Sequence, residues 1–415
     1  MHIAYFTGTY PRATDTFIQR EVVGLRDLGL EVFTFAVRRP GDDNIVGPEQ
    51  VAERSQTHYL LPFNLGLLIK AHLGLLWGNP SRYFNSIKLA WVTSQPGLKG
   101  FLYQLIYFLE AGSLADRIAA QNITHLHNHI ASSSCTVAML AAELGGFSFS
   151  FTMHGPHIFF EPYRWRVDEK IKHAKFVACI SHFCRSQGMI FSRPDQWDKL
   201  KIVHCGVDPS LFETVIHQGT GKRLLYVGRL AAEKGLPVLL ESLTELTRTE
   251  PDMVLTVVGD GADRALLEQQ VSDLGLQNHV RFLGYQSQAA VREHLKNTDI
   301  FVLPSFAEGI PVVLMEAMAA GVAVVATQVA GVSELVHSGV NGYVVPPGDR
   351  QALSECISFL MKDADTRNRL GAAARTKVEQ EFNALTEVEK LYQLFTGEAH
   401  RRAAAPVNAD TSAVV

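Results

Sequence analysis

A buried strand that runs directly into a buried helix, near residue 310, constrains the fold of this chain more than any other feature. Residues 300–304 form an uninterrupted apolar run that predicts a buried strand. Gly309 gives the following loop a flexible backbone, and Pro311 suits the first position of a helix, where no amide hydrogen is needed. The apolar stretch 312–320 then predicts a buried helix that stops at Gly321. Strands and helices that alternate in this way predict an α/β fold.

Two glutamates flank the start of this helix. Glu308 lies in the loop ahead of it, and Glu316 lies about one and a half turns inside it, at ~1.5 Å per residue. The free amides of a helix N-terminus attract phosphate, whereas the carboxylates need donors such as sugar hydroxyls. Together they describe a nucleotide-sugar site. The alternative is an ordinary strand–loop–helix with incidental glutamates, but a buried carboxylate without a partner is costly.

Length and composition exclude several classes of protein. The 415 residues suffice for two or three domains, and 47% hydrophobic with 19% charged residues is a globular balance. The net charge of -4 provides no basic footprint for nucleic acid. Five cysteines without a CxxC pair favour reduced thiols in a cytoplasmic protein. We expect no signal peptide, and no apolar run approaches the ~20 residues that span a bilayer.

The opening of the chain predicts a Rossmann-like unit. A strand at 3–7, a turn at Gly8, an apolar-striped helix and a strand at 31–37 follow each other. A GxGxxG pattern is missing, so a permanent dinucleotide cofactor is not expected. A plain α/β turn is the alternative for Gly8.

Residues 60–120 are helical in pattern and unusually apolar. Apolar clusters occupy 65–77 and 101–109, and basic residues lie among them: Lys70, Arg82, Lys88 and Lys99. One interpretation is a surface that meets a membrane-held acceptor. The other is a set of core helices packed on a parallel sheet.

Three alternating histidines, His125, His127 and His129, follow the start of a predicted strand. Alternate strand residues share a face, so the three side chains are predicted to line a cleft. A zinc site is the alternative, although no fourth ligand is apparent.

Two further motifs place polar groups at strand ends. His154 and Gly155 follow a predicted strand, which puts an imidazole at the cleft edge. Arg229 and Lys234 lie in a glycine-bounded turn ahead of an apolar helix, which suits a diphosphate. The alternative for this turn is a solvated basic loop.

These motifs together resemble retaining GT-B glycosyltransferases, most closely family 4. The matches are Glu308-x7-Glu316 with Gly309, Pro311, Ala317 and Gly321, Arg229-x4-Lys234-Gly235, and Thr152-x-His154-Gly155. Tyr10-Pro11 and Asp15-Thr16-Phe17 resemble the exopolysaccharide and colanic-acid branch. The resemblance covers nearly all of residues 1–398. It implies an α/β fold of two Rossmann-like, doubly wound domains that face each other across a cleft.

The resemblance also implies a division of the chain. Residues 1–208 are the predicted acceptor-side domain and residues 209–380 the donor-binding domain. Residues 381–398 are predicted to form a helix that returns to the first domain, and residues 399–415 a disordered tail.

Roles follow from the resemblance residue by residue. It implies that His154 and Glu308 act on the donor sugar as catalytic residues. The donor-binding residues would be Gly8, Arg229, Lys234, Gly259, Tyr285, Gly309, Ile310, Pro311 and Glu316. The acceptor-side residues would be Thr16, His129 and His157. Many relatives carry Asp where this chain has His157, which leaves the acceptor chemistry open.

The implied reaction moves a hexose from a UDP- or GDP-linked donor to a saccharide acceptor. This acceptor is expected to be linked to a lipid and to lie on the cytoplasmic face of the membrane. Anomeric configuration is retained by a front-face mechanism, without metal or other cofactor. An epimerase of the same fold and an inactive glycan- or lipid-binding protein are the rival functions. Intact Arg229, Lys234, Glu308 and Glu316 argue against an inactive site.

Overall fold

The computed structural model describes residues 1–12, 15–42, 45, 47–214, 216 and 221–398. The predicted tail at 399–415 lies outside these residues. The described chain contains two parallel sheets with helices on their faces, so the α/β prediction is confirmed. Near-continuous apolar strands such as Ile300–Leu303 occur because helices cover both faces of each sheet.

The first domain is built on a seven-stranded sheet in the order β3-β2-β1-β4-β5-β6-β7. Its strands are β1 (His2–Thr9), β2 (Glu31–Arg38), β3 (His58–Tyr59), β4 (His125–His129), β5 (Ser148–Met153), β6 (Val177–Cys179) and β7 (Leu200–Ile202). All neighbouring pairs are parallel. The strand order reverses between β1 and β4, and ligands of such sheets bind at the carboxyl ends beside this reversal.

Ten α-helices belong to the described part of this domain. They are α1 (Thr16–Asp27), α2 (Pro48–Gln56), α3 (Leu65–Gly78), α4 (Pro80–Thr93), α5 (Leu98–Ala120), α6 (Ser133–Gly145), α7 (Pro156–Phe160), α8 (Pro162–Trp165), α9 (Val167–His173) and α10 (His182–Ile190). Helix α6 is buried along nearly its whole length, because the sheet lies on one side and α4 and α5 on the other. Helices α3–α5 are therefore an outer layer.

This outer layer corrects the interpretation of residues 65–109 as core alone. Leu68 and Phe108 are buried, but Leu67, Trp77 and Phe101 are exposed. The inner side of α4 and α5 covers α6, and much of the remaining apolar surface faces solvent.

The second domain carries a six-stranded parallel sheet in the order β10-β9-β8-β11-β12-β13. Its strands are β8 (Arg223–Val227), β9 (Val254–Val258), β10 (Val280–Phe282), β11 (Ile300–Leu303), β12 (Ala323–Thr327) and β13 (Tyr343–Val345). Its helices are α11 (Leu236–Thr249), α12 (Arg264–Asp273), α13 (Gln288–Lys296), α14 (Val312–Ala319), α15 (Val332–Leu335), α16 (Arg350–Lys362) and α17 (Ala364–Glu381). The order reverses between β8 and β11, which places their following loops at the ligand-binding edge.

The last described helix, α18 (Ala384–Thr396), packs against the first domain. Its Leu391 and Phe395 lie in one apolar cluster with Tyr5. The backbone of Val207 bonds both Phe382 and Ala384, at 3.0 and 2.8 Å, where the chain crosses back. This crossing covers one face of the first sheet with a segment from the far end of the sequence.

Candidate active site

A cavity of about 470 Å³ lies between the two domains, at the carboxyl ends of their strands. This volume is in the range of small-molecule sites. The first domain contributes Thr16, Phe17, His154 and Cys205 to its wall, and the second contributes Arg229, Lys234, Gln288, Glu308, Gly309, Ile310, Pro311 and Glu316. Nine of the sequence-predicted site residues therefore surround one cavity.

At Gly309 the backbones of the two domains pack tightly against each other beside this cavity. A Cβ at this position would lie 2.6 Å from the carbonyl oxygen of His154 and 2.8 Å from the Ile180 side chain. Gly309 is thus needed for close approach across the cleft and not only for a flexible turn. Helix α14 begins one residue later than expected, since Pro311 has extended backbone angles and precedes the first helical turn.

Lys234 and Glu308 form an ion pair in the cavity wall. The Lys234 ammonium lies 2.7 Å from Oε1 of Glu308, and the Ser305 hydroxyl donates to the same oxygen at 2.7 Å. Glu308 is only 7% exposed. The turn that carries Lys234 packs closely against the end of β11. Gly235 has a φ of +64°, and a Cβ at this position would lie 2.1 Å from the carbonyl oxygen of Pro304, so only glycine fits here. The backbone therefore holds the cation and the carboxylate side by side.

Arg229 is the most accessible charge of the site. Its side chain is 61% exposed and pairs with Glu233, four residues further along the same loop. The Tyr226 hydroxyl donates to the carbonyl oxygen of Arg229 at 3.1 Å and anchors the start of the loop. The hydrogen bond holds the backbone of Arg229 in place, while its guanidinium lies exposed at the cavity surface. This arrangement would allow the guanidinium to bind a phosphate.

Glu316 is buried inside α14, as the sequence predicts, and its partner is Arg20 of α1 in the first domain. Nη2 of Arg20 donates to Glu316 at 2.7 Å and to the Gln288 side chain at 3.1 Å. Arg20 was not predicted as a site residue from the sequence. The sequence signal for Arg20 was its position next to the buried stripe of α1. A cation at the edge of a buried face needs an anionic partner, and that partner comes from the element that packs against the helix.

His154 follows β5 and lies in the cavity wall with 9% of its surface exposed. Burial, and secondarily the neighbouring His129, hold the pKa of His154 well below its usual range, so the ring is neutral near pH 7. Nε2 of His154 lies 2.9 Å from Nδ1 of His129, and Nδ1 lies 3.6 Å from the Cys205 sulfur.

The prediction that three histidines of β4 line the cleft is wrong. His125, His127 and His129 share one face of the strand, but all three are fully buried. Phe176, which precedes β6, and Phe395 of the returning helix α18 cover this face. Their ring centroids lie 5.3–6.0 Å from those of His125 and His127. The acceptor-side role predicted for His129 is therefore also wrong, because its side chain lies behind His154.

One cluster of metal-binding residue types occurs among the described residues. Glu21, His127 and His129 each place a ligand atom within 4.8 Å of the others. However, both ring nitrogens of His127 are engaged by hydroxyls, with Ser150 and Thr152 at 2.8 Å. The absence of a metal requirement stays a prediction.

Only one of the remaining predicted residues belongs to the described cavity wall. Thr16 is in the wall, whereas Gly8, Gly259, Tyr285 and His157 are not among the described lining residues. Tyr285 is 59% exposed, and Gly259 packs so tightly that a Cβ would lie 2.0 Å from the carbonyl oxygen of Gly228. Burial, and then the charge of Arg229, lower the pKa of His157.

Comparison with known proteins agrees with this geometry. Residues 209–377 match the family model described as Glycosyl transferases group 1. The second domain is a glycosyltransferase domain. This match covers the Arg229–Lys234 turn and both glutamates of the cavity.

Relatives with curated names extend the similarity beyond the second domain. The amylovoran biosynthesis glycosyltransferase AmsK of Erwinia amylovora is 27% identical over 420 residues, 92% of this chain and 96% of that protein. The putative colanic acid biosynthesis glycosyltransferase WcaL of Salmonella typhimurium is 34% identical over 195 residues, 45% of this chain and 48% of that protein.

Solved structures establish the architecture. HepE of Anabaena, crystallised with UDP, superposes with a TM-score of 0.72 at 19% identity, covering 96% of this chain and 100% of HepE. Sucrose-phosphate synthase of Thermosynechococcus elongatus superposes with a TM-score of 0.72 at 18% identity, over 95% of this chain and 98% of that one. The predicted GT-B fold is confirmed. The match of the second domain supports a glycosyltransferase activity.

Proposed function

We propose that this glycosyltransferase moves a hexose from a nucleoside-diphosphate sugar to a saccharide acceptor, with retention of anomeric configuration, in exopolysaccharide assembly. The observation that carries the proposal is the Lys234–Glu308 pair beside the N-terminus of α14, with Glu316 deeper in the same helix. Cations and free amides receive the diphosphate, while carboxylates receive hydroxyl groups.

In this arrangement the leaving diphosphate lies against Lys234, Arg229 and the first amides of α14. These positive groups replace the charge that a metal would supply, so no metal is expected. Glu316 accepts hydrogen bonds from the ribose hydroxyls. The sugar lies between Glu308 and His154, and the departing phosphate helps to deprotonate the acceptor hydroxyl on the same face.

The similarity to AmsK over 92% of the chain supports a role in exopolysaccharide synthesis. UDP is the first donor nucleotide to test, because HepE was crystallised with UDP and with UDP-glucose. Both the choice of UDP over GDP and the identity of the hexose belong to the proposal.

A donor screen tests the proposal directly. Purified protein is incubated with UDP- and GDP-linked hexoses and a saccharide acceptor extract, and released nucleoside diphosphate is measured. We expect acceptor-dependent release from one donor. Release from none of them would contradict the proposal, and conversion of a UDP-sugar to its epimer without acceptor would indicate the rival epimerase.

Glu316→Gln is expected to weaken binding of the donor nucleotide by roughly 10- to 150-fold, the effect of losing one charge-assisted contact of about 1.5–3 kcal/mol. This change is measured by calorimetric titration with the nucleoside diphosphate of the donor that the screen identifies, UDP or GDP.

The same substitution also removes the negative charge that pairs with Arg20 between the domains, so Glu334→Gln is the matched control. Glu334 joins the domains through the amides of His182 and Phe183, both at 2.8 Å, and is not among the described cavity residues. The ribose assignment is wrong if the wild-type protein binds a deoxyribose nucleotide equally well.

The acceptor side of the proposal concerns the exposed apolar residues of α3–α5. Trp77 is 82% exposed, Leu98 75%, Leu65 71% and Trp91 69%. Lys70, Lys88 and Lys99 on the same helices are also exposed. Aromatic and aliphatic side chains interspersed with lysines suit an anionic lipid surface. No helix of the described chain combines the length and apolar character needed to cross a membrane.

We expect the protein to co-sediment with anionic liposomes at low salt. Reversing the charge at Lys70, Lys88 and Lys99 should weaken this binding by about 100-fold or more. Each basic residue near headgroups contributes ~1 kcal/mol, and the three new negative charges are also repelled by the anionic lipid. Charge reversal at Lys201 and Lys362, exposed lysines outside α3–α5, is the control. Protein that stays in the supernatant would rule out the membrane contact and favour a soluble acceptor.

A further inference from the structure

A buried carboxylate lies behind His154, on the side away from the cavity. Glu21 belongs to the same stripe of α1 as Ile18, Val22 and Leu25, at helical spacing, and is only 8% exposed. An acidic residue within an apolar stripe is costly unless it has polar partners. This spacing was the sequence signal for Glu21, which the sequence reasoning passed over.

Glu21 is connected to His154 through His129. Oε2 of Glu21 lies 2.9 Å from Nε2 of His129, and Nδ1 of His129 lies 2.9 Å from Nε2 of His154. The Tyr5 hydroxyl donates to the same carboxylate oxygen at 3.3 Å. This contact does not have the geometry of a hydrogen bond, so it is mainly electrostatic.

The contacts link the proton on His129 to the proton on His154. An ionised carboxylate only accepts, so Nε2 of His129 must carry a proton to avoid facing it with a lone pair. If His129 carries this one proton, its Nδ1 is an acceptor and Nε2 of His154 donates to it. A neutral His154 has a single ring proton, which leaves its Nδ1 as an acceptor beside Cys205 in the cavity wall.

The other two histidines of β4 lack such a constraint. His125 and His127 have serine and threonine hydroxyls at both ring nitrogens, and a hydroxyl can donate or accept. Of these three rings, only that of His129 contacts both a carboxylate, that of Glu21, and a residue of the cavity wall, His154. A purely space-filling role would not require that connection.

We propose that His129 carries one proton and that Glu21 and His129 are positioning residues that hold His154 as its Nε2–H tautomer. A hydroxyl of the donor sugar then takes the place of the Cys205 thiol and donates a hydrogen bond to Nδ1. This inference rests on the proposed function for its sugar ligand, but the tautomer itself does not depend on any activity. A histidine held in one tautomer selects for a hydroxyl donor at that point of the sugar.

The tautomer is measured by nuclear magnetic resonance of protein labelled with ¹⁵N-histidine. The His154 signals are identified by their loss in His154→Ala. We expect a protonated Nε2 and an unprotonated Nδ1 in the wild type, and loss of this single state in the isosteric Glu21→Gln. A wild-type His154 protonated at Nδ1 would overturn the proposal, as would a stoichiometric metal in the purified protein, because a metal would take the lone pair of His129.

Kinetics separates positioning from simple support of the fold. Glu21→Gln should lower kcat about 10- to 100-fold, the usual effect of removing an orienting partner of a functional histidine, with donor KM within about twofold. The same substitution in a His154→Ala background should cost nothing further. An equal loss in both backgrounds would overturn the proposal.

Glu53→Gln is the matched control. Glu53 is also a buried carboxylate of the first domain and accepts from the Tyr10 hydroxyl at 3.1 Å, but it is not among the described cavity residues. It should leave kcat and the His154 tautomer unchanged. If the donor screen finds no transfer, the proposed function fails, whereas the tautomer measurement still decides the role of Glu21.

Discussion

Lys234→Ala is expected to reduce kcat/KM for the donor by roughly 10- to 150-fold or more. One charge-assisted contact to the diphosphate contributes about 1.5–3 kcal/mol, and 1.4 kcal/mol is about tenfold. The substitution also leaves Glu308, 7% exposed, without its cation, which adds the cost of an unpaired buried charge. The largest loss in the second domain should therefore occur at this position.

Two variants separate these contributions. In Lys234→Ala/Glu308→Gln the unpaired charge is removed, so the free energy of unfolding should recover while donor turnover stays low. Lys222→Ala is the control, because Lys222 pairs with Glu250 and Asp252 at 3.1 and 3.4 Å, away from the described cavity residues. Unchanged nucleotide affinity and turnover in Lys234→Ala would refute the diphosphate role.

His154→Ala is expected to lower kcat on the order of 100-fold or more while the affinity for the donor changes little. A preorganised polar group aimed at the reacting centre acts mainly in the transition state, and the loss of one such group costs about 10²–10³ in rate. Steady-state kinetics with the donor from the screen, together with titration of the nucleotide, separates the two effects.

His125→Asn serves as the control for this variant. His125 is fully buried in the neighbouring strand and bonds Ser148 and Ser150 at 2.7 Å, so its replacement should lower the melting temperature without changing kcat of the folded protein. A His154→Ala protein that loses only donor affinity would show that the imidazole binds rather than assists transfer.

The local motifs of this chain are readable from sequence because their chemistry is local. Glu308, Gly309 and Glu316 lie within one loop and one helix, and the Arg229–Lys234 turn lies directly after one strand. Backbone geometry over so few residues follows from glycine, proline and apolar spacing. The alternation of buried strands with helices likewise predicts both parallel sheets.

What the sequence does not contain is the identity of partners from distant segments. His129 was expected at the acceptor because nothing near it indicates that Phe395 of α18 covers its strand. Arg20 and Glu316 are 296 residues apart and meet only because the domains face each other. Tertiary packing likewise decides which side of α4 and α5 contacts α6.

The proposed donor site can be observed in a structure of the protein bound to the nucleoside diphosphate that the donor screen releases. We expect the diphosphate to contact Lys234 and the amides at the start of α14, and a ribose hydroxyl to lie within hydrogen-bond distance of Glu316. A nucleotide bound outside the cavity between the domains, or in it with the ribose turned away from Glu316, would show that the proposed donor site is wrong.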